Sequence, residues 1–126
     1  MKLFQLLVTV VALLCLQACN ETKKIEAPTK LTVNEGIENP LGFHDATPNF
    51  SWQLNDNRQG AKQTAYQLVV ENITGTSQQL LWDSDKVISN QSVYVPYQGP
   101  ALNSRQQISW KVRYWDQNGQ ISPWSS

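Results

Sequence analysis

The chain has 126 residues, which is enough for one small domain together with its sorting signals. Ten basic and ten acidic side chains cancel, and no basic stripe runs through the sequence, so we expect no nucleic-acid partner. Five tryptophans and four tyrosines lie mostly inside strand-like runs. That aromatic content is typical of a β-sandwich core or of a surface that faces carbohydrate.

The first 18 residues predict a lipoprotein signal peptide. Lys2 supplies a positive charge, and the stretch 6–16 is apolar except for one threonine, which is too short for a permanent membrane span. The sequence Leu16-Gln17-Ala18-Cys19 resembles the bacterial lipobox, in which cleavage occurs before a cysteine that becomes lipidated. We therefore expect lipidated Cys19 to anchor the protein to the outer membrane of the cell envelope. The protein would then face either the periplasm or the outside of the cell. A plain secretory signal is the alternative.

Residues 19–28 predict a lipidated cysteine followed by a flexible tether. The stretch after Cys19 reads NETKKIEAP, which is polar, charged and without periodicity. Because Cys15 belongs to the signal peptide, the mature chain keeps a single cysteine. No disulfide is then available, and the domain depends on its apolar core alone.

From Thr29 onward the alternation of apolar and polar residues predicts strands and no helix. In residues 108–116, expected to be the central strand, Ile108, Trp110, Val112 and Tyr114 share one face. The other predicted strands are residues 31–33, 49–54, 64–71, 80–87 and 92–97, with Pro96 indicating an edge position. The predicted core consists of Trp52, Tyr66, Leu68, Val70, Val95, Trp110 and Val112.

Asn118-Gly119 predicts a hairpin after this strand. A two-residue loop would place Trp124 opposite Arg113 on the outward face, where the guanidinium could lie over the indole ring. A three-residue loop is the alternative, and we expect it to send Trp124 into the core.

Seven short strands at this spacing predict an all-β fold over residues 29–126, an immunoglobulin-like or fibronectin type III-like sandwich. The strand that follows the hairpin is short, because the sequence stops at Ser126. We therefore expect a fragment, cut before a following domain.

Five segments in fixed order resemble the N-terminal sandwich domain of α-L-rhamnosidases of the Bacteroidetes type. They are PNFSWQL, QTAYQLVVEN, LLWDSDKVISNQS, VPYQGPALNS and ISWKVRYWDQNGQISPWSS. The resemblance runs from about Pro28 to the last residue. It implies that the intact protein hydrolyses terminal α-L-rhamnose with inversion, in a helical toroid that lies downstream of this chain. The implied partners are those downstream domains and rhamnose-containing glycans of plants or bacteria.

No residue of the chain is predicted to be catalytic, and no cofactor or metal is expected. Asp83 and Asp85 would lie roughly 7 Å apart on one strand face, within the range of about 6.5–9.5 Å that inverting glycosidases use. However, Asp83 belongs to a short Trp-Asp-Ser stretch typical of a turn, and Asp116 precedes a turn whose N–H groups it would accept. His44 is the only histidine, and although Asp45 follows it, no second histidine or free cysteine lies near it to complete a metal site.

Three classes of function remain: a non-catalytic module of a rhamnosidase, a stand-alone carbohydrate-binding module, and a spacer or adhesion domain of another surface lipoprotein. Trp82, Trp115 and Trp124, together with Arg113, form the candidate surface for contact with a domain or a sugar. Three coplanar exposed rings would favour sugar binding, whereas rings that are buried or that face another domain would favour a scaffold.

Overall fold

The computed structural model describes residues 23–34 and 45–126, so Cys19 and His44 lie outside the described residues. All six strands of this part are antiparallel and form two sheets, in the orders β1-β2-β5 and β4-β3-β6. The strands are β1 Thr29–Val33, β2 Asn49–Gln53, β3 Ala65–Asn72, β4 Gln79–Asp83, β5 Val95–Pro96 and β6 Ile108–Trp115. The predicted all-β sandwich is confirmed.

The core lies between the two sheets and follows the period of two that the sequence shows. It is built from Phe50, Trp52, Val95 and Tyr97 on one sheet and Tyr66, Leu68, Val70 and Val112 on the other. Trp110 is half-buried and packs on this cluster, with its ring centroid 4.6 Å from that of Phe50. The predicted core is therefore confirmed, with Trp110 at its margin.

The strand order corrects one expectation, because β3 and not β6 is the central strand of its sheet. Strand β3 pairs with β6 along its whole length, from Ala65 opposite Trp115 to Asn72 opposite Ile108. Its other edge pairs with β4.

The segment that follows the hairpin runs back along the free edge of β6, held partly by serine side chains. The N–H groups of Ser122 and Ser125 donate to the carbonyls of Tyr114 and Val112, each at 2.9 Å. In return, the Oγ atoms of the same serines accept from the N–H groups of Tyr114 and Val112, each at 3.0 Å. Both serines are buried, so their hydroxyls take the place of strand carbonyls.

The hairpin loop has three residues, so the predicted two-residue loop is wrong. Trp115 bridges to Ile121, and the N–H of Asp116 donates to the carbonyl of Gln120 at 2.9 Å. The Asp116 carboxylate closes the loop by accepting from the N–H groups of Asn118 and Gln120. Gly119 completes it with φ of +76°, a conformation that glycine adopts without strain.

Strand β5 is shorter than the predicted strand 92–97, because Tyr94 turns the backbone with φ of +54°. The N–H of Tyr94 donates to Ser51 Oγ and not to a backbone carbonyl of a neighbouring strand. Val93 is 54% exposed and does not face the core. The prediction of an edge position for Pro96 is confirmed, since β5 pairs only with β2. Asp85, with φ of +53°, likewise ends the predicted strand 80–87 early.

The described chain begins before β1, within the segment predicted as a tether. Ile25 and Pro28 in that segment are buried, whereas Lys23 and Lys24 are exposed. No helix in residues 23–34 and 45–126 is long and apolar enough to cross a membrane.

Candidate interaction surface

The outer face of β6 carries a row in which cations lie over tryptophan rings. Lys86 Nζ and Arg113 Cζ lie 4.9 and 5.5 Å from the ring centre of Trp115. Arg113 Cζ and Lys111 Nζ lie 4.5 and 4.9 Å from that of Trp124. We call these five residues the cation–tryptophan row. Each such contact stabilises by about 0.5–1 kcal/mol at an exposed site.

Strand geometry explains why three residues of the cation–tryptophan row lie side by side. Lys111, Arg113 and Trp115 alternate with inward residues, so they share one face at roughly 7 Å intervals. Trp124 joins them because the returning segment contains one extra residue. Its bonded positions 122 and 125 are three apart, whereas their partners 114 and 112 on β6 are two apart.

Because of this extra residue, Trp124 contacts Arg113 even though the hairpin loop has three residues and not the predicted two. The predicted contact between Arg113 and Trp124 is confirmed. The expectation that a three-residue loop would send Trp124 into the core is wrong, because the offset after Ser122 restores its outward direction.

Arg113 is held in place by a chain of hydrogen bonds across three strands. Its Nε and Nη2 donate to Gln67 Oε1 at 3.0 and 2.8 Å, and Gln67 Nε2 donates to Asp83 Oδ1 at 2.9 Å. The register places Gln67 directly opposite Arg113 in the β3–β6 ladder. The orientation of the guanidinium is therefore set by the sheet itself. Sequence reasoning missed Gln67, since it lies 46 residues away and carries no motif.

Trp82 does not join the other two tryptophans. It is paired with Val70 on the inward face of β4, and its ring meets that of Tyr97 edge-on at 5.4 Å. Trp115 is only 8% exposed, and Trp124 is half-buried. The three rings singled out from sequence therefore form no common exposed surface.

The acidic residues considered from sequence serve the backbone. Asp83 Oδ1 accepts from the N–H of Asp85 at 2.8 Å as well as from Gln67, so it closes the turn after β4. Within residues 23–34 and 45–126, no group of three or more histidine, cysteine, aspartate or glutamate side chains is placed to hold a metal ion.

Asp116 is a buried carboxylate that ties the hairpin to the loop after β2. It is 0% exposed, and its Oδ2 accepts from Arg58 Nη2 at 2.8 Å, while Arg58 also pairs with Asp56. Burial alone would raise the pKa of Asp116, but the hydrogen bonds from Arg58 and from the N–H groups of Gln120 and Asn118 hold it below its ordinary value. The predicted role of Asp116 as a turn acceptor is confirmed.

Comparison with known proteins assigns this sandwich to a family. Residues 28–126 match the model of the Rha78A-like, N-terminal immunoglobulin domain. The chain belongs to this family. An α-L-rhamnosidase of Formosa agariphila is 42% identical over 110 residues, which are 86% of this chain and 12% of that protein. One from Alteromonas sp. is 40% identical over 116 residues, again 86% and 12%.

Solved structures give the same result. The structure of the α-L-rhamnosidase from Dictyoglumus thermophilum matches with a TM-score of 0.72 and 36% identity, covering 84% of this chain and 12% of that one. That of Streptomyces avermitilis α-L-rhamnosidase complexed with L-rhamnose matches with a TM-score of 0.69 and 38% identity, covering 79% and 10%. This N-terminal rhamnosidase domain thus spans about an eighth of the length of the relatives it matches.

Proposed function

We propose that this chain is the non-catalytic N-terminal module of a longer α-L-rhamnosidase, and that it packs against later domains of the same polypeptide. The observation that carries the proposal is the family match over residues 28–126, in relatives of which this region is only 12%. The intact protein would act on terminal α-L-rhamnose in rhamnose-containing glycans.

The cation–tryptophan row favours a scaffold over a stand-alone sugar-binding module. Sugar-binding surfaces present open aromatic faces on which a sugar ring stacks. Here Trp82 faces inward, Trp115 is 8% exposed, and Lys86, Arg113 and Lys111 lie over the two outer rings.

The test is to read and express the gene beyond Ser126. We expect a catalytic domain there, and release of rhamnose from an aryl α-L-rhamnoside by the full-length product. Coding sequence for an unrelated domain, with no release of rhamnose, would contradict the proposal and favour a spacer or adhesion domain.

We propose further that Cys19 is lipidated and anchors the protein to the outer membrane. The support is the signal-like stretch ending in Leu16-Gln17-Ala18-Cys19. Cells labelled with a radioactive fatty acid should yield a labelled protein, and Cys19→Ala should abolish the label. Cys15→Ala is the matched control and should keep it. Label retained in Cys19→Ala would exclude this site.

A further inference from the structure

The guanidinium of Arg113 is held in place on one side and has unpaired N–H donors on the other. A guanidinium has five N–H donors, and Gln67 Oε1 engages Nε and one N–H of Nη2. The guanidinium carbon also lies over the rings of Trp124 and Trp115. The remaining donors, on Nη1 and Nη2, have no partner among the described residues, and the side chain is half-buried instead of free to sweep through solvent.

Two further cations lie beside this edge, and one carboxylate, that of Asp83, lies behind Gln67 in the hydrogen-bond chain. Lys86 and Lys111 flank Arg113 along the row. None of these three cations forms a salt bridge within residues 23–34 and 45–126, where the salt bridges belong to Arg58. The nearest acidic group in the network, Asp83, uses Oδ1 for Gln67 and the backbone of Asp85. Three like charges in line favour an anionic partner.

We propose that Arg113 is the centre of a carboxylate-binding site that receives acidic side chains from the domain following this one in the polypeptide. A planar guanidinium with two free, parallel N–H groups matches the two oxygens of a carboxylate. Because cations cover the rings, the surface offers a sugar no stacking face. The inference rests on the proposed function, which supplies a covalently attached neighbour at high local concentration.

The distance between neighbouring cations of the row indicates how the carboxylates of the partner should be spaced. Lys111 and Arg113 are two residues apart on one strand face, or roughly 7 Å. Carboxylates two apart on a strand, or four apart on a helix with a rise of about 1.5 Å per residue, repeat at about that distance. The partner surface is therefore an acidic strand or helix face, with Trp124 buried beneath the contact.

Zero-length carbodiimide coupling of the full-length gene product tests the site, because it joins a lysine amine to a carboxylate only when the two touch. We expect amide links from Lys111 or Lys86 to acidic residues beyond Ser126, located by mass spectrometry. Exposed Lys62 and Lys30, which lie outside the row, should give none. Arg113→Gln should reduce the links to the level of these controls, whereas Arg105→Gln, at an exposed arginine elsewhere, should leave them unchanged.

Electrophoresis of the full-length product in gels that contain polygalacturonate distinguishes a contact between domains from a glycan-binding site. Retardation that Arg113→Gln abolishes, without links beyond Ser126, would overturn the proposal and make the row a site for acidic polysaccharide. Absence of both links and retardation in the wild-type protein would overturn it as well. A downstream region that encodes no rhamnosidase domain would refute the proposed function alone, since links to that region would still support the contact.

Discussion

The indole of Trp52 is 1% exposed, and its Nε1–H donates to Gln63 Oε1 at 2.9 Å. Gln63 in turn donates to the carbonyls of Ser89 and Gln91, so this one core side chain also organises the link between β4 and β5. Trp110 sits at the margin of the core, and its indole N–H has no hydrogen-bond partner in residues 23–34 and 45–126.

We predict that Trp52→Ala lowers the free energy of unfolding by about 3–5 kcal/mol, as for other buried aromatic residues. Trp110→Ala should cost less, because part of its ring already contacts solvent. Urea denaturation of both variants measures the difference. An equal or larger loss for Trp110→Ala would contradict this ranking.

Tyr114 combines full burial with a hydroxyl that has no hydrogen-bond partner in the described part of the chain. Burial, reinforced by the nearby carboxylates of Asp56 and Asp116, raises the pKa of Tyr114 to about 12. In the unfolded chain a tyrosine titrates near pH 10. Since ionisation occurs first in the unfolded state, the stability that depends on the neutral phenol is complete below about pH 10 and is lost as pH rises toward 12.

Tyr114→Phe should therefore weaken the alkaline loss of stability, which is at most about 1.4 kcal/mol per pH unit for one group. At pH 7 it should be neutral or stabilising, because it removes a buried unpaired hydroxyl. Unfolding free energies between pH 7 and 11 test both statements, with exposed Tyr94→Phe as control. Burial also raises the pKa values of Tyr66 and Tyr97, so some alkaline loss should remain. An unchanged alkaline slope in Tyr114→Phe would refute the assignment.

Among the elements, the segment 121–125 lies beside β6 without forming a regular strand. Its attachment to β6 depends on two serine hydroxyls that accept from the N–H groups of Tyr114 and Val112. This arrangement also places Trp124 in the cation–tryptophan row.

We predict that Ser122→Ala and Ser125→Ala each destabilise the domain by about 1–3 kcal/mol, because each leaves a buried backbone N–H unpaired. Native-state hydrogen exchange should show faster exchange at Tyr114 for the first variant and at Val112 for the second. Ser109→Ala, at an exposed serine of β6, is the matched control. Uniform acceleration across β3 and β6 would instead indicate global destabilisation.

Across the whole domain, three aspartates are committed to a turn and to two ion pairs that share Arg58. Asp83 closes the turn after β4, and Asp56 and Asp116 engage Arg58. Each of these three carboxylates thus already has N–H or guanidinium partners in the folded domain.

We therefore predict that residues 20–126 release no rhamnose from an aryl α-L-rhamnoside, whereas the full-length product does. The double variant Asp83→Asn, Asp85→Asn in the full-length protein should keep its activity. Turnover by residues 20–126 that disappears in the double variant would show that the pair is catalytic after all.

The all-β class, the inward faces of β2, β3 and β6, and the family could all be predicted from the amino-acid sequence. Alternation with a period of two is a local property, because successive side chains of any strand point to opposite faces whatever the strand pairs with. The ordered motifs from PNFSWQL to SPWSS likewise need no coordinates to be compared with a family.

The contacts between outward-facing residues could not be predicted in this way, because they depend on how distant segments pack. Gln67 reaches Arg113 across 46 residues, and Arg58 reaches Asp116 across 58, through strand register and loop packing that no local pattern encodes. Trp82 faces Tyr97 because of its pairing with Val70 in β3, and Trp124 faces outward because the returning segment gains one residue. A shift of one residue in a strand reverses the face of every side chain after it, so such positions depend on the complete set of pairings.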